Sequence, residues 1–439
     1  MAFSADRNDV LERVRAFVDK VDIEGIFTPG KTYIPASGKV LDASDIEHAV
    51  DACLDMWLTV GRYDTSFSAA LAKRMGGHRA LTTVSGSAAN LLAFSALTSA
   101  KLGASRILPG DEVITVAAAF PTTVAPIVQN GCIPVFCDIS INTANIDVSQ
   151  LEGAISSKTR AIMVAHTLGN PFDLSTVMAF AKKHNLYVIE DCCDALGAKY
   201  DGKPVGGFGS LSTLSFYPAH QITCGEGGAV ISSRESLMKL VESFRDWGRD
   251  CWCPPSHQDT CNNRFNWQLG DLPKGYDHKY IYSHVGYNLK MTDMQAAIGL
   301  SQLNKIDNFI ETRRQNWKLL KTALVDAGLE EFFIFPEATK NSDPSWFGFL
   351  ITVRDNAPFT KSEMVSYLEN SGIGTRQLFA GNLIRQPAFK SVPHRTFGDL
   401  HNTDKVMHDS FWIGVWPGID NQRRSYMVSK IKEFTTAMG

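Results

Sequence analysis

The chain has 439 residues and no apolar run near the roughly 20 that a membrane span needs. Its first residues, MAFSADRNDVLERVRAFVDK, are charged and amphipathic and lack the apolar core of a secretory signal. A cytoplasmic protein is expected. Net charge is only −3 with a pI near 6.4, so no basic surplus exists for nucleic acid or an anionic membrane. Internal repeats and low-complexity tracts are absent. No G-x-G-x-x-G follows a β-rich run, which removes the usual dinucleotide signature. What is present is 44% hydrophobic residues, enough for a substantial core in two or three domains. Nine cysteines in a cytosolic chain point to burial, metal binding or redox chemistry rather than disulfides.

Helical spacing of apolar positions predicts one or two helices over 46–75. Short β-rich runs then alternate with amphipathic stretches. The runs are 79–85, 111–119, 133–139, 159–167 and 186–192, and the helical stretches lie near 87–101, 122–130, 149–156 and 174–184. This rhythm predicts an α/β domain whose mostly parallel sheet is flanked by helices. Two more strands follow near 211–217 and 228–232. Residues 249–286 break the pattern with Cys, Pro, Asn, Asp, Tyr and Trp, and read as a long irregular insertion of functional type. A long helix is expected over 292–328, then strands near 346–353 and a helix near 361–370. The expected division is an N-terminal segment 1–45, a large domain 46–305 and a small C-terminal α+β domain 306–439.

Several segments carry chemistry. SGSAAN (85–90) stands between a strand and a helix, where small residues leave backbone N–H groups free for an anion. Phe120 ends a strand in AAAFPTT, and Asp191 ends another in VIEDCCDALGA (188–198). LSTLSFYPAHQITCGEGGAV (211–230) and GYNLKMTDMQAAIG (286–299) follow, and WLTVGRYDTSF (57–67) precedes them. Together and in this order they resemble the sugar aminotransferase and dehydratase family of fold-type-I pyridoxal-phosphate enzymes. The resemblance extends from Trp57 to Phe389. It implies that Gly86, Ser87, Ala88 and Ser215 receive the cofactor phosphate and that Phe120 stacks on the ring. It also implies that Asp191 pairs with the pyridine nitrogen, keeping it protonated so that the ring draws electrons. Asn288 would reach the phosphate of a neighbouring subunit, making the protein a homodimer with shared sites.

The departure from the family pattern is His220. In SF-[HY]-x-x-K-x-x-x-x-G-E-G-G a lysine belongs there, and Ser215, Phe216, Tyr217, Gly225, Glu226, Gly227 and Gly228 all match around it. A lysine amine holds the cofactor as a Schiff base, which an imidazole cannot do. The expected cofactor is therefore non-covalent pyridoxamine phosphate, with the pyridoxal phosphate form also open. A 4-ketosugar forms a ketimine with that amine, a proton leaves the cofactor's 4′ carbon, and the sugar's 3-hydroxyl departs. His220 is placed to take the proton. The stretch GTRQLFAGNLIRQPAF (374–389) is similar to the 3-dehydratase subgroup, and Arg376 is a candidate sugar contact. The implied substrate is a nucleotide-linked 4-keto-6-deoxyhexose, CDP-linked by resemblance.

Cys193, Cys251, Cys253 and Cys261 form the spacing C-x(57)-C-x-C-x(7)-C. If the strand that holds Asp191 continues, Cys193 shares its face and Cys192 turns away. Four thiolates suit a [2Fe–2S] cluster, and they suit structural zinc as well. The spacing resembles that of the family's iron–sulfur members. That likeness implies electrons from a partner, an NADH-dependent flavin iron–sulfur reductase. Cys224 is the substitute ligand if Cys193 is not one. Two alternatives stay open: a cluster-free 3-dehydratase of the colitose type acting on a GDP-linked sugar, and an inactive aminotransferase-like binding protein.

Overall fold

The β-rich runs form strands β1 (Arg79–Thr83), β2 (Glu112–Val116), β3 (Ile133–Cys137), β4 (Thr159–Ala165), β5 (Tyr187–Asp191), β6 (Leu211–Ser215) and β7 (Gly228–Ser232). The computed structural model describes residues 2–21, 25–76, 78–253 and 257–438. Parts of the expected N-terminal segment (1, 22–24) and of the insertion (254–256) lie outside the described residues. The strands share one sheet in the order β1-β7-β6-β5-β4-β2-β3, extended at its edge by Arg395–Thr396. Only the pairs made by β7 are antiparallel. β2, β6 and β7 are buried at every position, because helices cover both faces. That is why runs such as EVITV show no polar alternation. The register Ala165↔Asp191 and Asp191↔Thr213 brings the carboxyl ends of β4, β5 and β6 level.

Two motifs far apart in sequence are one structural joint. Asp293, fully buried, accepts the N–H groups of Gly61 (3.0 Å), Tyr63 (3.3 Å) and Asp64 (2.8 Å), which opens helix Arg62–Arg74. A charge at a helix N-terminus is stabilising. Asp293 is itself the first residue of helix Asp293–Leu303, whose Thr292 and Gln295 form a capping box.

The single long helix expected over 292–328 is two helices, Asp293–Leu303 and Ile306–Asp326. Lys305 sits at the break and turns its amine to Asp42 (2.9 Å) and Asp45 (2.8 Å). Periodicity alone does not register such a bend, since both pieces keep an apolar face. The second piece leaves the large domain and carries Arg313, Asn316 and Leu320 into the small one. There a four-stranded antiparallel sheet contains Phe333–Ile334, Gly348–Val353, Ser410–Gly414 and Thr375–Arg376 in that order. Its core takes in Phe27 and Ile34 from the N-terminal segment, with Trp317 stacked on Trp346 at 4.2 Å. The expected boundary at 306 is thus crossed from both sides, since Arg395–Thr396 belongs to the large sheet. Among the described residues no helix is long and apolar enough to cross a membrane.

Candidate active site

A cavity of about 540 Å³ opens at the carboxyl ends of the central strands. Open α/β sheets present their binding crevice there. Ser85, Gly86 and Ser87 reach it at the start of helix Gly86–Leu97, and Phe120 reaches it at the start of helix Pro121–Gln129. Asp191, Cys193 and Asp194 come from the end of β5, and Ser215, Tyr217 and His220 from the end of β6. Phe347, Arg376, Gln377, Phe379 and Trp412 close it from the small domain. No lysine lines it. Lys290 lies elsewhere, its amine 3.4 Å from the Trp247 ring centre.

Asp191 is held as an acceptor. One carboxylate oxygen receives Asn90 Nδ2 (2.9 Å) and Thr123 Oγ1 (2.7 Å), the other the Cys193 N–H (3.1 Å). Asn90 in turn accepts Thr213 Oγ1 at 2.7 Å. The relay Thr213–Asn90–Asp191 fixes the carboxylate before anything binds. Asn90 lies inside the SGSAAN motif, so its spacing from Gly86 was a readable signal. Thr123 and Thr213 carry no such mark.

The helix N-terminus at Ser85 opens on the cavity, where the sequence leads one to expect an anion. Ser85 Oγ accepts the Ala88 N–H (3.1 Å), and Ser87 Oγ donates to Thr122 (2.9 Å). The Ala88 amide thus serves the cap, and Ala88 is not among the residues that line the cavity. Gly86 is required sterically. A Cβ there would stand 2.5 Å from Ser215 Cβ and 2.9 Å from Cys193 Sγ. Gly228 is equally confined, 2.4 Å from the Ser85 carbonyl oxygen. Gly86→Ala is expected to cost about 1–3 kcal/mol of stability through overpacking. It should also weaken cofactor binding, as read by thermal melting with and without added pyridoxamine phosphate. An unchanged melting temperature in both conditions would mean that the cradle gives way freely.

His220 is mostly buried, its ring 5.2 Å from that of Phe347. Burial, reinforced by the nearby Arg313 charge, lowers its pKa to about 4 against the pull of Asp191. It is therefore neutral at physiological pH and able to accept a proton. Burial, then the charge of Asp191, pushes Asp194 up to about 8. Sequence reasoning passed over Asp194, and nothing in its local pattern marks it. Arg376 does line the cavity, its guanidinium donating to the Thr375 carbonyl at 2.7 Å.

Asn288 does not reach this cavity. It is exposed, bridged to Asp246, and accepts from Lys290. The cysteine set also divides. β5 ends at Asp191, so face alternation does not govern Cys193, yet Cys193 lines the cavity because the chain turns there. Burial pushes its thiol pKa well above the ordinary value. Cys251, Cys253 and Cys261 instead line a small separate pocket with Asp259, Arg264, His278 and Lys279. Among the described residues the only trio of potential ligands within 4.8 Å of one another is His166, Glu190 and Cys192. That trio is not an open site: Glu190 already accepts Gly206 N (2.8 Å), Phe208 N (2.9 Å) and His166 Nε2 (3.2 Å). Cys193 and the trio Cys251, Cys253 and Cys261 thus line different pockets. Cys224 offers no substitute, being buried against Gly299.

The donor set at the large cavity suits a phosphorylated pyridine cofactor: an acceptor fixed at one end, an anion cradle with no room for a Cβ at the other, and Phe120 between the two motifs. This architecture is that of the fold-type-I pyridoxal-phosphate-dependent proteins. The chain belongs to the DegT/DnrJ/EryC1/StrS aminotransferase family, whose profile matches residues 40–432. It is 53% identical, over 97% of its length and 98% of the relative's, to the lipopolysaccharide biosynthesis protein RfbH of Salmonella typhimurium. It is 50% identical, over 93% of its length and 88% of the relative's, to dTDP-4-dehydro-2,6-dideoxy-D-glucose 3-dehydratase of Saccharopolyspora spinosa. Among solved structures, E. coli GDP-4-keto-6-deoxy-D-mannose-3-dehydratase with bound hydrated PLP superposes with a TM-score of 0.82 at 25% identity, covering 91% of this chain and 100% of that one.

Proposed function

We propose that this protein is a pyridoxamine-phosphate-dependent 3-dehydratase acting on a nucleotide-linked 4-keto-6-deoxyhexose. The observation that carries the reading is a cavity at the strand ends that His220 lines and, among the described residues, no lysine does. Two relatives named as 3-dehydratases support the reaction class. The cofactor, when bound, supplies an amine for the sugar's C4 ketone and a ring that takes up electron density. The residues of the chain do the rest. Asp191 holds the ring nitrogen protonated, and Ser85, Gly86, Ser87 and Ser215 seat the phosphate. The neutral imidazole of His220 accepts the proton that must leave for the C3 hydroxyl to depart as water. Arg376 and the aromatic wall of Phe347, Phe379 and Trp412 face the sugar.

The finer reading is a CDP-linked substrate, as for CDP-4-keto-6-deoxyglucose 3-dehydratase in ascarylose biosynthesis. Complete C3 deoxygenation needs two electrons beyond dehydration, which that reading draws from an NADH-dependent flavin iron–sulfur reductase through a [2Fe–2S] cluster. Support for the cluster is the cysteine spacing and the grouping of Cys251, Cys253 and Cys261. Cys193 lines the large cavity rather than the small pocket that holds the other three. The reading also includes a homodimer in which Asn288 completes the partner's phosphate site. Exposed apolar side chains nearby favour it, among them Val285 (95% exposed) and Tyr282 (53%).

The test is incubation of anaerobically purified protein with CDP-, dTDP- and GDP-linked 4-keto-6-deoxyhexoses, pyridoxamine phosphate and a reductant, followed by mass spectrometry. Loss of the C3 oxygen from the CDP sugar is expected, with iron and acid-labile sulfide in the protein. Turnover without iron would favour the cluster-free GDP-type enzyme, and stoichiometric zinc a structural metal. No change at C3 with any sugar would overturn the dehydratase reading.

A further inference from the structure

His220 is held by its backbone more firmly than by its ring. Its N–H closes a turn onto the Tyr217 carbonyl at 3.0 Å. Arg313, fully buried on helix Ile306–Asp326, donates to the His220 carbonyl (3.1 Å) and the Ala219 carbonyl (3.4 Å). The same guanidinium donates to the carbonyls of Trp346 and Phe347, each at 3.3 Å. One cation therefore ties the β6 turn to the small-domain segment that packs on the imidazole. The ring itself has no made hydrogen bond at Nδ1. That atom is buried and unpartnered, and 3.5 Å away stands Asp194 Oδ1. Oδ2 of the same carboxyl is also buried and unpartnered. Buried polar atoms without partners are rare in folded proteins, and two such groups facing each other call for a purpose.

Asp194 is fixed where it stands. Gln221 Nε2 donates to its carbonyl and to that of Ser345 (2.9 Å). Gly169 packs so tightly beneath that a Cβ would lie 2.9 Å from the Asp194 oxygen and 1.9 Å from the Ser345 oxygen. These contacts fix the Asp194 backbone, and its carboxyl Oδ1 stands 3.5 Å from His220 Nδ1, at the limit of a hydrogen bond. Of the two ring nitrogens, Nδ1 is the one sealed from the cavity, so Nε2 is the one that can serve it.

We propose that Asp194 is a positioning residue for His220: its carboxyl oxygen accepts Nδ1–H, selects that tautomer, and leaves the Nε2 lone pair open to the cavity. A carboxyl oxygen can accept this hydrogen bond whether or not its neighbour carries a proton. The partner of one imidazole nitrogen decides what the other can do. The proposal deepens the dehydratase reading, because it makes a base of Nε2 in that reaction, but its first readout does not depend on any substrate.

That readout is nitrogen NMR of the protein labelled with 15N-histidine at neutral pH, with the His220 signals assigned by their loss in His220→Asn. The Nδ1–H tautomer is expected in the wild-type protein, and a shift toward Nε2–H in Asp194→Ala. The second readout is kinetic. Asp194→Ala should lower kcat about 10- to 100-fold, in the range of other outer-shell orienting residues, and Asp194→Asn, whose amide oxygen can still accept Nδ1–H, should lower it less. KM and affinity for pyridoxamine phosphate should stay within about threefold, a factor worth less than one hydrogen bond. An Nε2–H tautomer in the wild-type protein would overturn the assignment without any variant having to fold. So would a folded Asp194→Ala protein with unchanged kcat. If the wild-type protein turns over no sugar, the dehydratase reading fails while the tautomer measurement still judges Asp194.

Discussion

His220→Asn is expected to abolish C3 dehydration while leaving the cofactor bound. Asparagine keeps a polar group of similar reach in the β6 turn, and the backbone bonds from Arg313 to residues 219 and 220 do not involve the side chain. What disappears is a neutral nitrogen base. Positioned acid–base groups contribute about 100- to 10,000-fold to rate, and a loss of that size is predicted. Affinity for pyridoxamine phosphate, followed by calorimetry, should hold within about threefold, because His220 forms no part of the phosphate cradle or of the Asp191 relay. Exchange of solvent hydrogen into the cofactor's 4′ carbon should fall in parallel with turnover. A variant that still exchanges at the wild-type rate would place the base on another residue.

Asp191→Asn should fail differently. The carboxylate is 4% exposed and accepts three hydrogen bonds, from Asn90, Thr123 and the Cys193 amide. An amide presents one acceptor and one donor group, so its NH2 must face at least one of these donors. Losing a hydrogen bond to a charged group costs about 1.5–3 kcal/mol, which in affinity is about 10- to 150-fold. The cofactor should therefore bind more weakly by that factor and lose its electron-drawing character as well. Both binding and turnover are expected to fall, whereas His220→Asn separates them. Retention of full affinity by Asp191→Asn would remove this residue from the ring-nitrogen role.

Much of this site was legible because the relevant residues lie at the junctions that a βαβ rhythm marks. Asp191 and Ser215 each end a strand, Phe120 and Gly86 each follow one, and strand ends on one side of a parallel sheet must converge. His220 was legible as a substitution within an otherwise intact motif. For Ala88, motif position does not tell which amide of a helix start is taken by the cap. The bend at Lys305 was hidden by continuous periodicity, and the four-cysteine grouping was a statement about spacing, which carries no distance. Asp194, Phe347 and Trp412 had no signal at all, since their value comes from where other segments place them.

Order and type of element, the strand ends that bear chemistry, and the loss of the cofactor lysine are all properties of neighbouring residues, and the amino-acid sequence determined them alone. Which tautomer an imidazole keeps, which thiols stand together and which domain closes the cavity depend on contacts between residues tens to hundreds of positions apart. Asp194 faces His220 only once β5 and β6 have paired, and Arg313 meets both that turn and the carbonyls of Trp346 and Phe347 only after the small domain has packed against the sheet. A buried charge or an orphaned nitrogen takes its energy from that surrounding, so the tertiary structure decided it.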